Sequence, residues 1–188
     1  MAEHICPWWI GYLLVNPIRR LFQKPEQILA PYIHTGMTVL DVGCAMGFFS
    51  LPLARMVGSE GRVICIDLQE RMLKSLNKRA TKAGLSDRIE ARLCSKKTLG
   101  IDELNAKIDF ALAFAVLHEV PGELERFLAQ IHASLVPGGR VLAAEPKHHV
   151  SIAEFEDTLK VAKQAGFVRI KQLQIKKSHA VLLEKSTR

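Results

Sequence analysis

The run Val39-Leu40-Asp41-Val42-Gly43-Cys44-Ala45-Met46-Gly47-Phe48-Phe49-Ser50 constrains this chain more than any other stretch. An apolar, β-rich segment passes through two glycines four residues apart and then into a helical pattern, the signature of a strand, a tight loop and a helix. Glycine stands where backbone must turn sharply or approach a ligand closely. Asp41 ends the otherwise apolar strand, and an ionised carboxylate half buried there needs a cation or an N–H group beside it. A nucleotide-like ligand carrying an amine would supply one.

Two ligand classes use a strand, a glycine loop and a helix, and spacing separates them. The dinucleotide fingerprint G-x-G-x-x-G, started at Gly43, requires glycine at two positions where this chain has Ala45 and Phe48. The pattern acid-x-Gly-x-Gly-x-Gly is met at Asp41, Gly43 and Gly47 and missed only at Ala45. On these residues the chain resembles a class I S-adenosylmethionine (SAM) dependent methyltransferase. The resemblance implies that Asp41, Gly43, Cys44, Ala45 and Gly47 hold the amino-acid tail of SAM, whose demethylated product is S-adenosylhomocysteine. Two glycines after a first strand also occur in αβ domains without that function, so the rest of the chain carries weight.

A second apolar strand, Arg62 to Asp67, again ends in an acid. Asp67 lies 24 residues past Gly43, close to the spacing of about 20 at which αβ nucleotide folds set a carboxylate on the ribose hydroxyls. A carboxylate only accepts, so it can take both protons of a diol. By resemblance, Leu68 lies against the adenine and Ala115 lines the cofactor at the end of the fourth strand. The third strand, Arg88 to Leu93, ends at Cys94-Ser95, where the family commonly offers an acid or amide to the adenine amino group. This chain departs from that pattern, leaving Ser95 or backbone for the task.

The fourth strand, Ile108 to Leu117, is apolar throughout after Asp109, as a strand covered on both faces must be. It runs into His118-Glu119-Val120-Pro121, and this segment resembles the fourth motif of the small-molecule, type 11-like branch of the family. Pro137-Gly138-Gly139 predicts a tight turn into a fifth strand, Arg140 to Glu145. Ser151 and Glu154 read as a capping box. Phe167 to Lys176 and His179 to Glu184 predict a closing antiparallel pair with a bulge near Lys171 or Gln172. The last strand is expected inside the sheet and the preceding one at its edge. The expected fold is α/β: a Rossmann-like, seven-stranded, mostly parallel sheet with helices on both faces and an antiparallel C-terminal strand. Residues 25–188 form the methyltransferase domain, and residues 1–24 an apolar and aromatic extension with Trp8 and Trp9. That extension reads as a lid over the site or as packing on the domain or on a second subunit.

The chain's 188 residues suit one domain with a real core. Cys6, Cys44, Cys65 and Cys94 are 38, 21 and 29 residues apart, against a zinc site or a disulfide framework, and the expected compartment is a reducing cytoplasm. The apolar segment Ile5 to Val15 covers 11 residues and contains Pro7 and Gly11, too short for a membrane helix of about 20 residues. No positive charge precedes it, so no export signal is read. The net charge of +7 has one source: from Lys160 to the C-terminus there are eight basic residues and one acidic, and 8 − 1 = 7. Such a surface attracts polyanions or decorates a solvated strand pair.

The reaction implied is in-line attack by a nucleophile on the sulfonium methyl group. That methyl is already activated, so the protein mainly aligns the partners and excludes water. An oxygen or carbon acceptor still needs a base to take its proton, and an amine or thiol needs less help. The candidates at strand ends are His118 first, then Glu119, Glu145, His148 and His149; loop residues capping the next helix are the alternative reading of His118-Glu119. Adjacent histidines without a third spaced ligand make no metal site. Three readings follow: a methyltransferase acting on a small molecule, one acting on RNA or another polyanion through the basic C-terminal hairpin, and a non-catalytic SAM-binding module that holds a protein partner. The acceptor and the oligomeric state are not legible.

Overall fold

The structure, a computed structural model, describes residues 23–186. The aromatic extension with Trp8 and Trp9 lies outside those residues. Two compact units divide the chain between Cys94 and Ser95.

The first unit runs α1 (Pro25–Leu29), β1 (Thr38–Val42), α2 (Ser50–Met56), β2 (Arg62–Asp67), α3 (Glu70–Lys82) and β3 (Ile89–Leu93). β1 pairs in parallel with β2, with Leu40 opposite Ile64 and Val42 opposite Ile66, and β2 pairs in parallel with β3. Val39, Leu40, Val63, Ile64, Cys65 and Ile66 are fully buried, which is why these strands read as unbroken apolar runs rather than as alternation. α3 buries Met72, Leu73, Leu76 and Ala80, one stripe at helical spacing. α1 stops at Leu29: Ala30 keeps helical backbone, but Pro31 has no N–H to donate back to the preceding turn.

The second unit contains β4 (Ile108–Phe114), α4 (Leu124–Ser134), β5 (Leu135–Pro146), α5 (Ile152–Gln164), β6 (Phe167–Ile175) and β7 (Ser178–Lys185), with 3-10 turns at Asp102–Leu104 and Leu117–Glu119. β4 and β5 are parallel, and β7 is antiparallel to both β5 and β6. The capping box is present: Glu154 N donates to Ser151 Oγ at 3.2 Å and Ser151 N donates to Glu154 Oε2 at 2.8 Å. The expected bulge is a register shift between Arg169 and Lys171.

Two boundaries differ from the sequence reading. β4 ends at Phe114, not at Leu117, because Ala115 takes a left-handed φ of 58° that no strand continues through. β5 begins at Leu135, not at Arg140: Ile108 opposes Leu135 while Phe110 opposes Arg140, so residues 136–139 loop out inside the strand. The expected Pro-Gly-Gly turn is that loop, with Gly138 at φ 73°.

The seven strands form one sheet in the order β3-β2-β1-β4-β5-β7-β6, mostly parallel, with antiparallel pairing confined to the C-terminal end. The last strand sits inside and β6 lies at the edge, in keeping with its almost continuously exposed middle. Among the described residues no helix is long and apolar enough to cross a membrane.

Candidate functional site

The loop after β1 is tied down by β2. Gly43 N and Cys44 N both donate to the Ile66 carbonyl, at 2.9 and 3.0 Å, and Gly47 N donates to the Cys44 carbonyl at 2.9 Å. Arg79, reaching from α3, donates through Nη1 to the Met46 carbonyl. Gly43, Ala45 and Gly47 take left-handed φ values of 70°, 47° and 83°, so every second residue reverses the chain. At Gly47 an added Cβ would run into Leu76 Cδ1 and come within 2.7 Å of Leu51 Cδ1, so both buried leucines would have to shift to admit a side chain. These commitments decide what the loop can bind. A phosphate cradle needs amides pointing at the ligand, and here the amides of Gly43, Cys44, Ala45 and Gly47 all have protein acceptors.

Ala45 occupies the position where the family motif has its middle glycine. A left-handed alanine costs about 1–2 kcal/mol, but glycine in its place would free the unfolded chain by about 0.4–1 kcal/mol. Ala45→Gly is therefore expected to raise the urea-unfolding free energy by about 0–1.5 kcal/mol, the relief of strain being partly offset.

Asp67 is the hinge of this arrangement. Its Oδ2 accepts from Ala45 N at 2.8 Å and its Oδ1 from Gln69 N at 2.8 Å. Burial pushes its pKa above the usual carboxylate value and these amides pull it back down, a net rise. A carboxylate has about four acceptor positions, so bonds to backbone leave capacity for hydroxyl protons from a ligand. Leu68, beside it, is half-buried.

Asp41 is almost fully buried, at 3 % exposure, and its Oδ2 accepts from Ser50 Oγ at 2.6 Å. Burial pushes its pKa up to about 7, the Ser50 hydroxyl draws it down, and the charge of Asp67 raises it further. Two carboxyl groups at neighbouring strand ends thus resist carrying charge together. A pKa raised in the folded state means that stability is greatest below the unfolded value near 3.8 and is lost as pH climbs to about 7. Without ligand, the contribution of Asp41 falls by about 1.4 kcal/mol for each pH unit across that window. Urea unfolding at pH 4 to 8 checks this: Asp41→Asn is expected to flatten the slope relative to the parent chain, and an identical slope would show that Asp41 titrates elsewhere.

The cysteines here are inert. Burial first, then Cys65, Asp41 and Asp67, hold the Cys44 thiol well above its ordinary pKa, and burial with the charge of Asp67 pushes Cys94 up to about 11. Among the described residues no group of three or more histidine, cysteine or acidic side chains is arranged to hold a metal.

In the second unit, Ser95 caps a turn: its Oγ accepts from Lys97 N and Thr98 N, each at 3.2 Å, which leaves its hydroxyl proton to donate. Ala115 N donates to the Ala144 carbonyl at 2.7 Å, extending the β4–β5 ladder one residue past the strand. His118 lies on the 3-10 turn that follows. Its Nδ1 is bonded to Glu145 Oε2, and Glu145 Oε1 accepts from Leu117 N at 2.8 Å. Glu145 is 1 % exposed while a quarter of the His118 side chain, 26 %, remains open. The His118 ring stacks on His149, with centroids 5.7 Å apart and planes 12° apart, and His149 in turn touches His148. Burial lowers the His118 pKa, but the bond to Glu145, its charge and that of Glu119 outweigh it, giving a net rise.

The sequence-predicted residues thus fall into two groups, Asp41 to Asp67 in the first unit and Ser95 to His149 in the second. Three further participants are not singled out by the sequence pattern: Ser50, Arg79 and the Leu117 amide. Ser50 follows Asp41 by nine residues at the start of a helix, where serine ordinarily reads as a cap. Arg79 sits in a basic, solvated-looking helix and carries no signal.

A glycine loop with a buried acid at the end of each of two successive parallel strands, in a seven-stranded sheet, is the arrangement of a Rossmann-like methyltransferase fold, and a family model described as a methyltransferase domain matches residues 33–184. The chain belongs to that family, and SAM is its cofactor. It is 30% identical over 148 residues to the ubiquinone/menaquinone biosynthesis C-methyltransferase UbiE of Cellvibrio japonicus, covering 78% of this chain and 58% of the relative. It is 33% identical over 140 residues to the ubiquinone biosynthesis O-methyltransferase of Methylocella silvestris, covering 73% and 52%. The chain thus spans a little over half the length of these relatives. A SAM-dependent methyltransferase from Aquifex aeolicus superposes with a TM-score of 0.84 at 25% identity, covering 96% of this chain and 98% of that one.

Proposed function

We propose that this chain transfers the sulfonium methyl group of SAM to a small-molecule acceptor. The observation that carries the reading is the pair of buried acids, Asp41 and Asp67, at the ends of β1 and β2 beside a loop whose amides are already committed. Asp41, uncomfortable as an anion, gains most from a ligand that brings an ammonium group, and Asp67 gains from a diol. A phosphate-bearing dinucleotide would meet two carboxyl groups and no unclaimed amide at Gly43, Cys44, Ala45 or Gly47. Those four loop residues are assigned to the amino-acid tail, Asp67 to the ribose, and Leu68, Ser95 and Ala115 to the adenine end. SAM, once bound, supplies a methyl group already activated by positive sulfur, so the residues around it chiefly orient and exclude water. His118, at the end of β4 and held by Glu145, is assigned the role of base.

Small-molecule specificity is supported by relatives whose names place them in quinone biosynthesis. Within the basic C-terminal fifth two of the eight cations are engaged locally, Lys160 with Asp157 at 2.7 Å and Arg169 with Glu156 at 3.2 Å, which lessens their pull on a polyanion acceptor. Incubation with methyl-labelled SAM and separate metabolite, RNA and protein fractions tests the reading. Label is expected in the metabolite fraction; label recovered only in RNA or protein would overturn it, as would the absence of calorimetric SAM binding.

A further inference from the structure

Glu145 is a buried carboxylate that the methyl-transfer step does not use directly. It stands at the end of β5, 1 % exposed, and both of its oxygens are engaged: Oε1 by Leu117 N–H at 2.8 Å and Oε2 by His118 Nδ1. The two bonds have different consequences. The first anchors the 3-10 turn Leu117–Glu119 that carries the imidazole, and the second decides which ring nitrogen holds the proton. An ionised carboxylate is acceptor-only, so the nitrogen it touches must be the donor. Neutral imidazole has one N–H, and with Nδ1 bearing it, Nε2 is left as a lone-pair acceptor.

We infer that Glu145 is a positioning residue that fixes His118 with Nε2 bare, and that the site therefore takes an acceptor which must give up a proton from oxygen or carbon as it is methylated. The inference rests on the methyl-transfer reading above. During transfer the acceptor–methyl bond forms as the sulfur–methyl bond breaks, the breaking pair stays on sulfur, and the acceptor's proton passes to His118 Nε2. The resulting imidazolium is stabilised by Glu145, which keeps both of its hydrogen bonds and its charge. An amine acceptor attacks through its own lone pair and sheds a proton afterwards, so it has no need of a buried carboxylate behind an imidazole. The remaining ring neighbours shape the same proton equilibrium. Glu119 on the turn favours the charged ring, and His149, stacked flat on His118 with His148 beyond it, covers one face.

Nitrogen-15 NMR of histidine-labelled protein saturated with S-adenosylhomocysteine tests this in the parent chain without any variant. The expected spectrum shows His118 with a proton on Nδ1 and a bare Nε2 above its titration midpoint; a proton on Nε2 would overturn the inference. In Glu145→Gln, an amide N–H faces Nδ1 and the carboxylate charge is gone. The His118 midpoint is expected to fall by about one pH unit, a tenfold loss of proton affinity, and the acidic limb of methyl transfer to the metabolite fraction should move with it, while SAM affinity stays the same. An unchanged midpoint in a folded Glu145→Gln chain would refute the positioning role. Mass analysis of the labelled products adds the substrate arm: methyl on hydroxyl oxygen or carbon is expected, and mainly N-methylated product would refute the acceptor class. Failure of the parent chain to bind SAM would instead strike the methyl-transfer reading itself.

Discussion

Replacing Asp67 by alanine is expected to weaken SAM binding by at least about 100-fold, because two charge-assisted hydrogen bonds to a diol contribute about 1.5–3 kcal/mol each. The same change removes the acceptor of the Ala45 and Gln69 amides. Stability should fall by about 1–2 kcal/mol, less than two lost bonds would suggest, since a buried carboxylate that resists ionisation is removed as well. Calorimetry and urea unfolding on the same preparation separate the two effects. A fall in stability with affinity intact would assign Asp67 to the loop alone and leave the ribose without its anchor.

Gly47→Ala is expected to cost about 2–4 kcal/mol in urea unfolding. A left-handed φ of 83° costs an alanine about 1–2 kcal/mol, the overlap with Leu76 and Leu51, both buried, adds about 1–3 kcal/mol of overpacking, and the stiffer unfolded chain returns about 0.4–1 kcal/mol. Gly84→Ala is the matched control. Gly84 has a similar φ of 65°, but a Cβ added there would meet nothing within 4 Å, so only the backbone cost remains, about 0–1.5 kcal/mol once the stiffer unfolded chain offsets part of the strain. Equal losses in the two variants would mean that the loop yields to the new methyl, and that the close approach of α2 and α3 is not what demands glycine.

The parts of the fold visible in the sequence are those where burial on both faces forces a continuous apolar run. β1, β2 and the inner position of β7 are legible for that reason, since a strand such as Ala180 to Leu183 has no polar face to show. Boundaries are lost where one residue's dihedral overrides the pattern. Val116 and Leu117 are as apolar as the strand before them, and nothing in their hydrophobicity announces the left-handed turn at Ala115. Within the site, Asp41 and Asp67 stand out because acids at the ends of apolar strands demand explanation. Ser50 does not, because its hydroxyl meets Asp41 only once the loop has folded. Glu145 is legible as a titratable group but not in its role: it lies 27 residues from His118, and only the pairing of β4 with β5 brings their strand ends side by side.

The register shift in β6 has a consequence for how the molecule behaves in a crowded solution. β6 carries the outer rim of the sheet, with Val168 and Ile170 about half exposed, and an unbroken ladder of that kind would invite a foreign strand to add itself. The displaced residue between Arg169 and Lys171 breaks the rim into two short lengths that no straight strand can match at once. Arg169, paired with Glu156, and Lys171 flank the break, so the rim is polar and charged where the hydrogen bonds of an added strand would have to start. Insertion of a straight, uncharged rim at this point is thus a route to fibrous precipitation that the present sequence closes.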